Sequence, residues 1–188
     1  KSGGIFKAFT GKCSELQTRQ VVGGLQFPWE ILWGPDNFIW MTERNGKISR
    51  VNPQTGAVQT LITIAEVYAV GESGLLGMVL HPDFVANPYV YAVYTYNTLQ
   101  GIREKVVRFT YNSGNNTLGS SFTLLQDILG NTTHDGSRLV ITPDLKLMVT
   151  TGDAQDQSSP QNDTHLSGKI LRLNLNGTIP ADNPNPAS

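Results

Sequence analysis

The chain is poor in cysteine, in charge and in long apolar runs, and each shortage removes a class of function. Cys13 is the single cysteine among 188 residues. One thiol cannot close an internal disulfide or build a cysteine-rich zinc site. Charged residues make up 15% of the chain, well under the usual quarter. Net charge is -1, and no basic run stands out. That argues against nucleic acid as a partner and against a polybasic membrane patch. No apolar run approaches the ~18 residues of a membrane-spanning helix. Amphipathic helix patterns are almost missing; the short exceptions are Phe6 to Leu16 and Ile62 to Val67. Lys1 stands where an initiator Met would, so a leader already removed or a trimmed chain is expected. Asn-x-Ser/Thr sequons occur at Asn115, Asn131, Asn162 and Asn176, and matter only in a glycosylating source.

What is present is strand and turn. Phe38–Thr42 is a short apolar run, followed by the turn Arg44-Asn45-Gly46 and the alternating Lys47–Val51. Asn52–Gly56 is another turn, and Ala57–Leu61 alternates again. Tyr89–Thr95, Val106–Tyr111, Phe122–Leu125, Leu139–Thr142, Leu147–Thr151 and Lys169–Leu175 read as further strands. The expected class is all-β.

A diverged repeat runs through these strands. Gly34-Pro35-Asp36, His81-Pro82-Asp83 and Thr142-Pro143-Asp144 each precede a strand. A loop follows, then a second strand with a basic residue inside and Asn at its end: Gly46–Asn52, Val106–Asn112 and Gly168–Asn174. The Pro-Asp pairs fall 47 and 61 residues apart. They are expected to be structural, since Pro fixes φ and Asp bonds the backbone ahead of it. Recurrence of short strands at ~40–50 residues is the signature of β-propeller blades. A propeller needs roughly four to eight blades to hide its strand edges. About three units are present, so the chain is expected to be the N-terminal half of a longer propeller. Residues 1–20 would be an extension and 21–188 the half-propeller. The remaining blades would come from elsewhere, a second chain being one source.

One segment suggests chemistry. His134 stands at a turn before one strand, and Asp153 at the end of the next. Such a hairpin can carry a general base and the carboxylate that orients it. The same pair also reads as a satisfied structural contact. His81 opens a Pro-Asp turn and His165 precedes a strand. Both are expected to be structural, because neither has a second ligand at metal spacing. Trp29, Trp33 and Trp40 are expected in the core between blades.

These residues together resemble the soluble quinoprotein glucose/sorbosone dehydrogenase family. The resemblance runs in order from Phe27-Pro28-Trp29-Glu30-Ile31 through Met41–Arg44 and Gly71–Met78 to His81–Phe84. It continues through His134, Arg138-Leu139, Thr151-Gly152-Asp153 and Leu166–Asn174 to Gly177–Pro184. It implies a six-bladed propeller, of which about three blades are here. It implies oxidation of the anomeric carbon of aldose sugars to lactones with pyrroloquinoline quinone. His134 would be the general base and Asp153 its orienting partner. Imidazole suits the role because it titrates near neutral pH. Glu72 and Gln157 would contact the cofactor. Glu72, if buried, would favour a charged imidazole; alternatively it caps the turn Gly71–Gly77. Arg138 would support its turn. Thr133 departs from the glucose-oxidising members, which carry Asp before the base, so glucose itself does not follow.

Calcium ligands and the cations that pair the quinone carboxylates belong to the later blades. The chain alone is therefore expected to bind the quinone weakly or not at all. The resemblance further implies a periplasmic or secreted enzyme that needs an external electron acceptor. Two other readings compete. One is a non-catalytic binding propeller like the hedgehog-interacting relatives, which lack the quinone-holding cations. The other is a sugar lactone hydrolase, which needs a carboxylate-rich metal centre.

Overall fold

The computed structural model describes residues 18–184. Cys13, the Phe6–Leu16 helix candidate and most of the 1–20 extension lie outside the described residues. Eleven strands form three antiparallel sheets. The first holds β1 (Pro28–Trp33), β2 (Ile39–Glu43), β3 (Lys47–Val51) and β4 (Val58–Thr63), paired in chain order. The second holds β5 (Leu75–Leu80), β6 (Tyr89–Thr98), β7 (Gly101–Asn112) and β8 (Thr117–Leu129), also in order. The third holds β9 (Gly136–Ile141), β10 (Lys146–Thr151) and β11 (Ile170–Asn174). These are three successive blades of a β-propeller, with β5 packed between the inner strands β1 and β9. No helix among the described residues is long and apolar enough to cross a membrane.

Alternation along β6 explains how the blades stack. Val90, Ala92 and Tyr94 face one way and join Trp40, Ile48 and Leu61 of the first blade. Tyr91 and Val93 face the other way and join Leu139, Leu147, Val149 and Leu173 of the third. A strand buried on both faces reads as a continuous apolar run. The far face of the first blade, Ile39, Met41 and Val51, is covered by Val21, Val22 and Leu25. On the third blade Val140 and Ile170 are exposed, Ile170 by 70%.

The repeated Pro-Asp turns have a physical account. Each joins the inner strand of a blade to the next strand. Asp36 accepts from the Phe38 N–H (3.2 Å) and the Trp40 indole (3.0 Å). Arg50, the basic residue inside β3, reaches back to Asp36 at 2.8 Å and donates to the Tyr111 hydroxyl at 2.8 Å. Arg172 reaches back to Asp144 in the same way, at 3.0 Å. In the second blade Arg108 lies between the rings of Tyr89 and Phe122 instead.

Trp40 is fully buried and packs edge-on against Phe84 and Tyr111. Trp40→Ala should therefore cost about 3–5 kcal/mol, read as a lower thermal midpoint of the complete protein. A loss below ~1 kcal/mol would mean that the inter-blade core does not depend on this ring.

Four expectations need correction. Ile62–Val67 is no helix: β4 runs to Thr63, where Ile62 pairs with Ile48, and a single turn bond joins Val67 N–H to Ile64 O. Gly71–Gly77 is only partly a turn, because Leu75 starts β5. Gly77 is required within that strand, since a Cβ there would lie 2.0 Å from Ser137 O of β9. Of the tryptophans only Trp40 is core. Trp33 is 64% exposed at the end of β1, and Trp29 is half-buried beneath the Arg138 guanidinium. Arg138 supports no turn: it lies in β9 and donates twice to Glu30 of β1, linking the third blade to the first. Glu30 is buried, and a buried carboxylate needs such a partner.

Candidate active site

Three loops meet where the inner strands begin. Residues 130–135 lead from β8 into β9, residues 152–158 leave β10, and residues 64–74 lead into β5. The β9–β10 pairing sets Gly136 opposite Thr151, which brings the residues before β9 beside those after β10. His134 Nδ1 then lies 3.0 Å from Asp153 Oδ1. The His134 side chain is 61% exposed, and its Nε2 has no hydrogen-bond partner among the described residues.

The backbone around this pair is unusual. His134 has φ 64°, and Ala154 and Gln155 have φ 49° and 66°. Non-glycine residues in the left-handed region cost on the order of 1 kcal/mol each. Hydrogen bonds hold them there. His134 O accepts the Ala154 N–H at 3.1 Å, and Asp135 O accepts the Gly152 N–H at 2.8 Å. The His134 N–H donates to Glu72 Oε2 at 3.2 Å. Glu72 in turn donates its own N–H to Thr132 O at 2.7 Å.

Asp153 Oδ1 also accepts the Gln155 N–H at 3.0 Å. That bond, with the His134 contact, holds the Asp153 carboxyl below its ordinary value. A carboxylate kept ionised suits support of an imidazolium. Asp135 behaves oppositely. Burial pushes its carboxyl up to about 6; the Asn131 N–H pulls it down and the Glu72 carboxylate pushes it further up. Glu104, fully buried and hydrogen-bonded by the Ser137 hydroxyl, is pushed well above the usual carboxylate range, mainly by burial. One oxygen of Asp135 and one of Glu104 have no partner among the described residues.

The raised Asp135 value has a sign. An unfolded Asp releases its proton near pH 4, while the folded one keeps it until about 6. Over that window the folded state binds more protons, so stability falls as pH rises. The stability of the protein relative to Asp135→Asn should drop by about 2 kcal/mol from pH 4 to pH 7. Urea unfolding of both proteins across that range measures it. A difference that stays flat would mean that Asp135 titrates as an ordinary carboxylate.

Of the four residues singled out in the sequence, the structure joins three: His134, Asp153 and Glu72. Glu72 is exposed rather than buried. It pins the backbone of His134 and not the ring, and it does not cap its own turn. Gln157 is exposed in the turn before the 3-10 helix Ser159–Gln161 and bonds to none of the three. Gln155 takes the nearer place, its side-chain amide donating to the Thr133 hydroxyl. Asn131, Asp135 and Ser137 escaped the sequence reading. Their signal was only adjacency to His134. His81 and His165 stay apart from the site. His81 Nδ1 accepts the Asp83 N–H of its own turn at 3.1 Å.

Chemically the site is one imidazole among carboxylates and amides. It can accept a proton and bind hydroxyl groups. Among the described residues it shows no unengaged cation of the kind a tricarboxylate cofactor needs as an anchor. Lys105 is engaged by Glu66, Arg138 by Glu30, and Lys169 by the carbonyls of Ser159 and Ser167. The residues therefore fit the reacting end of pyrroloquinoline quinone and not its anchorage. Among the described residues no group of three or more His, Cys, Asp or Glu could hold a metal ion.

Fold and site together define a propeller chain with a carboxylate-supported imidazole at the mouth of its inner strands. Residues 25–188 match the glucose/sorbosone dehydrogenase family model, and the chain belongs to that family. It is 38% identical to quinoprotein glucose dehydrogenase B of Acinetobacter calcoaceticus, over 92% of this chain and 42% of that protein. It is 29% identical to an aldose sugar dehydrogenase of Escherichia coli K12, over 85% of this chain and 44% of that one. The PQQ-bound aldose sugar dehydrogenase of Streptomyces coelicolor superposes with a TM-score of 0.85 at 30% identity, covering 99% of this chain and 53% of that structure. The chain thus spans less than half the length of these two curated relatives and about half of that propeller, as three blades of a six-bladed ring would.

Proposed function

We propose that this chain is the base-bearing half of a quinoprotein sugar dehydrogenase that oxidises the anomeric carbon of aldoses to lactones. The observation that carries the reading is the 3.0 Å contact of His134 Nδ1 with Asp153, beside an Nε2 without a partner. With Nδ1–H donating to Asp153, Nε2 carries the lone pair. It accepts the proton of the anomeric hydroxyl, and Asp153 supports the imidazolium that forms. Pyrroloquinoline quinone, when bound, supplies the two-electron acceptor for the hydride.

Glu72 stays in the proposal as a polar contact beside the base. Gln157 gives way to Gln155, whose amide reaches Thr133. Calcium and the cations that anchor the quinone are assigned to the remaining blades of the ring, in the same chain or in a second one. The electron acceptor is external, and the compartment is periplasmic or secreted. Thr133 in place of Asp leaves the sugar class intact without fixing glucose as the aldose.

The test is sugar-dependent dye reduction by the complete protein with added pyrroloquinoline quinone and calcium, across a panel of aldoses. Dye reduction with lactone as product is the expected result. A complete propeller that neither binds the quinone nor reduces dye would be a binding module, with His134 a structural residue.

A further inference from the structure

Asp135 follows the base directly in sequence and takes no part in the proposed proton transfer. It is only 3% exposed, an unusual place for a carboxylate that makes no salt bridge to Lys or Arg among the described residues. Its Oδ1 accepts the Asn131 N–H at 2.8 Å, so the side chain closes the 131–135 loop onto itself. Asn131 extends the link. Its Nδ2 donates to Ala154 O at 2.9 Å, and its Oδ1 accepts the Thr132 N–H at 2.7 Å. Ala154 is also the residue whose N–H holds His134 O. Two side chains thus tie the loop that carries the base to the loop that carries its orienting carboxylate. Between them His134 is held at φ 64°, a conformation an imidazole-bearing residue leaves when nothing enforces it.

We propose that Asp135 is a positioning residue for His134, acting through Asn131 as a strap that fixes the 131–135 and 152–155 loops against each other. The inference rests on the proposed role of His134 as base. Cutting the strap frees the His134 backbone to relax toward right-handed or extended φ. The ring then swings away from Asp153, and Nε2 leaves the line of the hydroxyl proton. A displacement near 1 Å costs on the order of 100-fold in rate.

The test compares Asp135→Ala with Asp135→Asn in the complete holoenzyme. Asn keeps an oxygen for the Asn131 N–H; Ala does not. Asp135→Ala should lower kcat on the order of 100-fold, with KM for the sugar and quinone affinity within about twofold. Asp135→Asn should restore kcat to within about fivefold. The imidazole NMR signal of the His134 Nδ1–H, bonded to Asp153, should persist in Asp135→Asn and vanish in Asp135→Ala. A purely stabilising side chain would lower the melting temperature and leave that signal intact in the folded fraction. If no aldose is oxidised even by the unaltered protein, the function fails, while the NMR comparison still reads the strap. Should Asp135→Ala not fold, Asn131→Ala cuts the same strap at Ala154 and carries the same expectation. Retention of the signal together with kcat within about fivefold, in whichever variant folds, overturns the proposal. Equal losses in Asp135→Asn and Asp135→Ala also overturn it, because the charge and not the strap would then matter.

Discussion

On the proposed function, His134→Ala should lower kcat for sugar-dependent dye reduction by on the order of 10³-fold in the complete holoenzyme, with quinone affinity unchanged. The expectation follows from one ring. His134 is the only histidine that bonds to a carboxylate among the described residues. Exposure leaves Nε2 open to a substrate. No other neutral base stands at the site. Asp153 is committed to Nδ1 and to the Gln155 N–H, and Glu72 to the His134 N–H. General-base catalysis contributes roughly 10²–10⁴-fold, so loss of the ring should remove most of the rate and little of the binding. The measurement is steady-state kinetics alongside a quinone titration. Activity within about fivefold of the unaltered protein would end the assignment of His134 as the base. Loss of quinone affinity in parallel would make it a cofactor contact instead.

Gly152→Ala should be nearly as damaging, although residue 152 carries no chemistry. A Cβ at 152 would lie 1.6 Å from His134 O and 3.0 Å from the Asp135 carbonyl carbon. Both neighbours are backbone, so no side chain can rotate away. The backbones approach this closely because Gly152 N–H donates to Asp135 O at 2.8 Å and Gly152 O accepts the Gly168 N–H at 2.6 Å. The methyl must push the base loop off the orienting loop. Overpacking of this kind costs about 1–3 kcal/mol, and the displaced base costs on the order of 100-fold in kcat. Thermal unfolding and kinetics on the same preparation separate the two effects. A Gly152→Ala protein with unchanged kcat would show that the two loops need not touch during turnover.

Much of the architecture was legible because it is written in local periodicity. Tyr89–Thr95 declared itself as a strand, being apolar or β-branched throughout and buried on both faces. The three Pro-Asp turns marked three blades. The inner strands were harder. Pro28–Trp33 opens on a proline, and Leu75–Leu80 is interrupted by Gly77, which the close approach of β5 to Ser137 of β9 requires. β8 runs from Thr117 to Leu129, far beyond Phe122–Leu125. Its Gly119, Ser120 and Asp127 have little strand preference; Gly119 pairs with Thr110 of β7, while Ser120 and Asp127 fall at register shifts with positive φ. At the site, His134 and Asp153 stood out because they flank one hairpin. Gln157 lies past two left-handed residues, Ala154 and Gln155, which turn the loop before position 157 is reached and set Gln155 against Thr133.

By itself the sequence determined the all-β class, the blade repeat, the family resemblance and the His134–Asp153 pair. Each rests on the order of residues along the chain: a period of two within strands, Pro-Asp turns recurring at blade spacing, and segments that follow one another in the family's order. Only the tertiary structure decided that Arg138 spans from the third blade to Glu30 of the first, that Glu72 holds a backbone N–H rather than a ring, and that Asp135 is buried within the base loop. Those facts depend on which loops the stacked blades bring within a few ångströms. Hydrogen bonds between residues 62 or 108 positions apart leave no period in the chain.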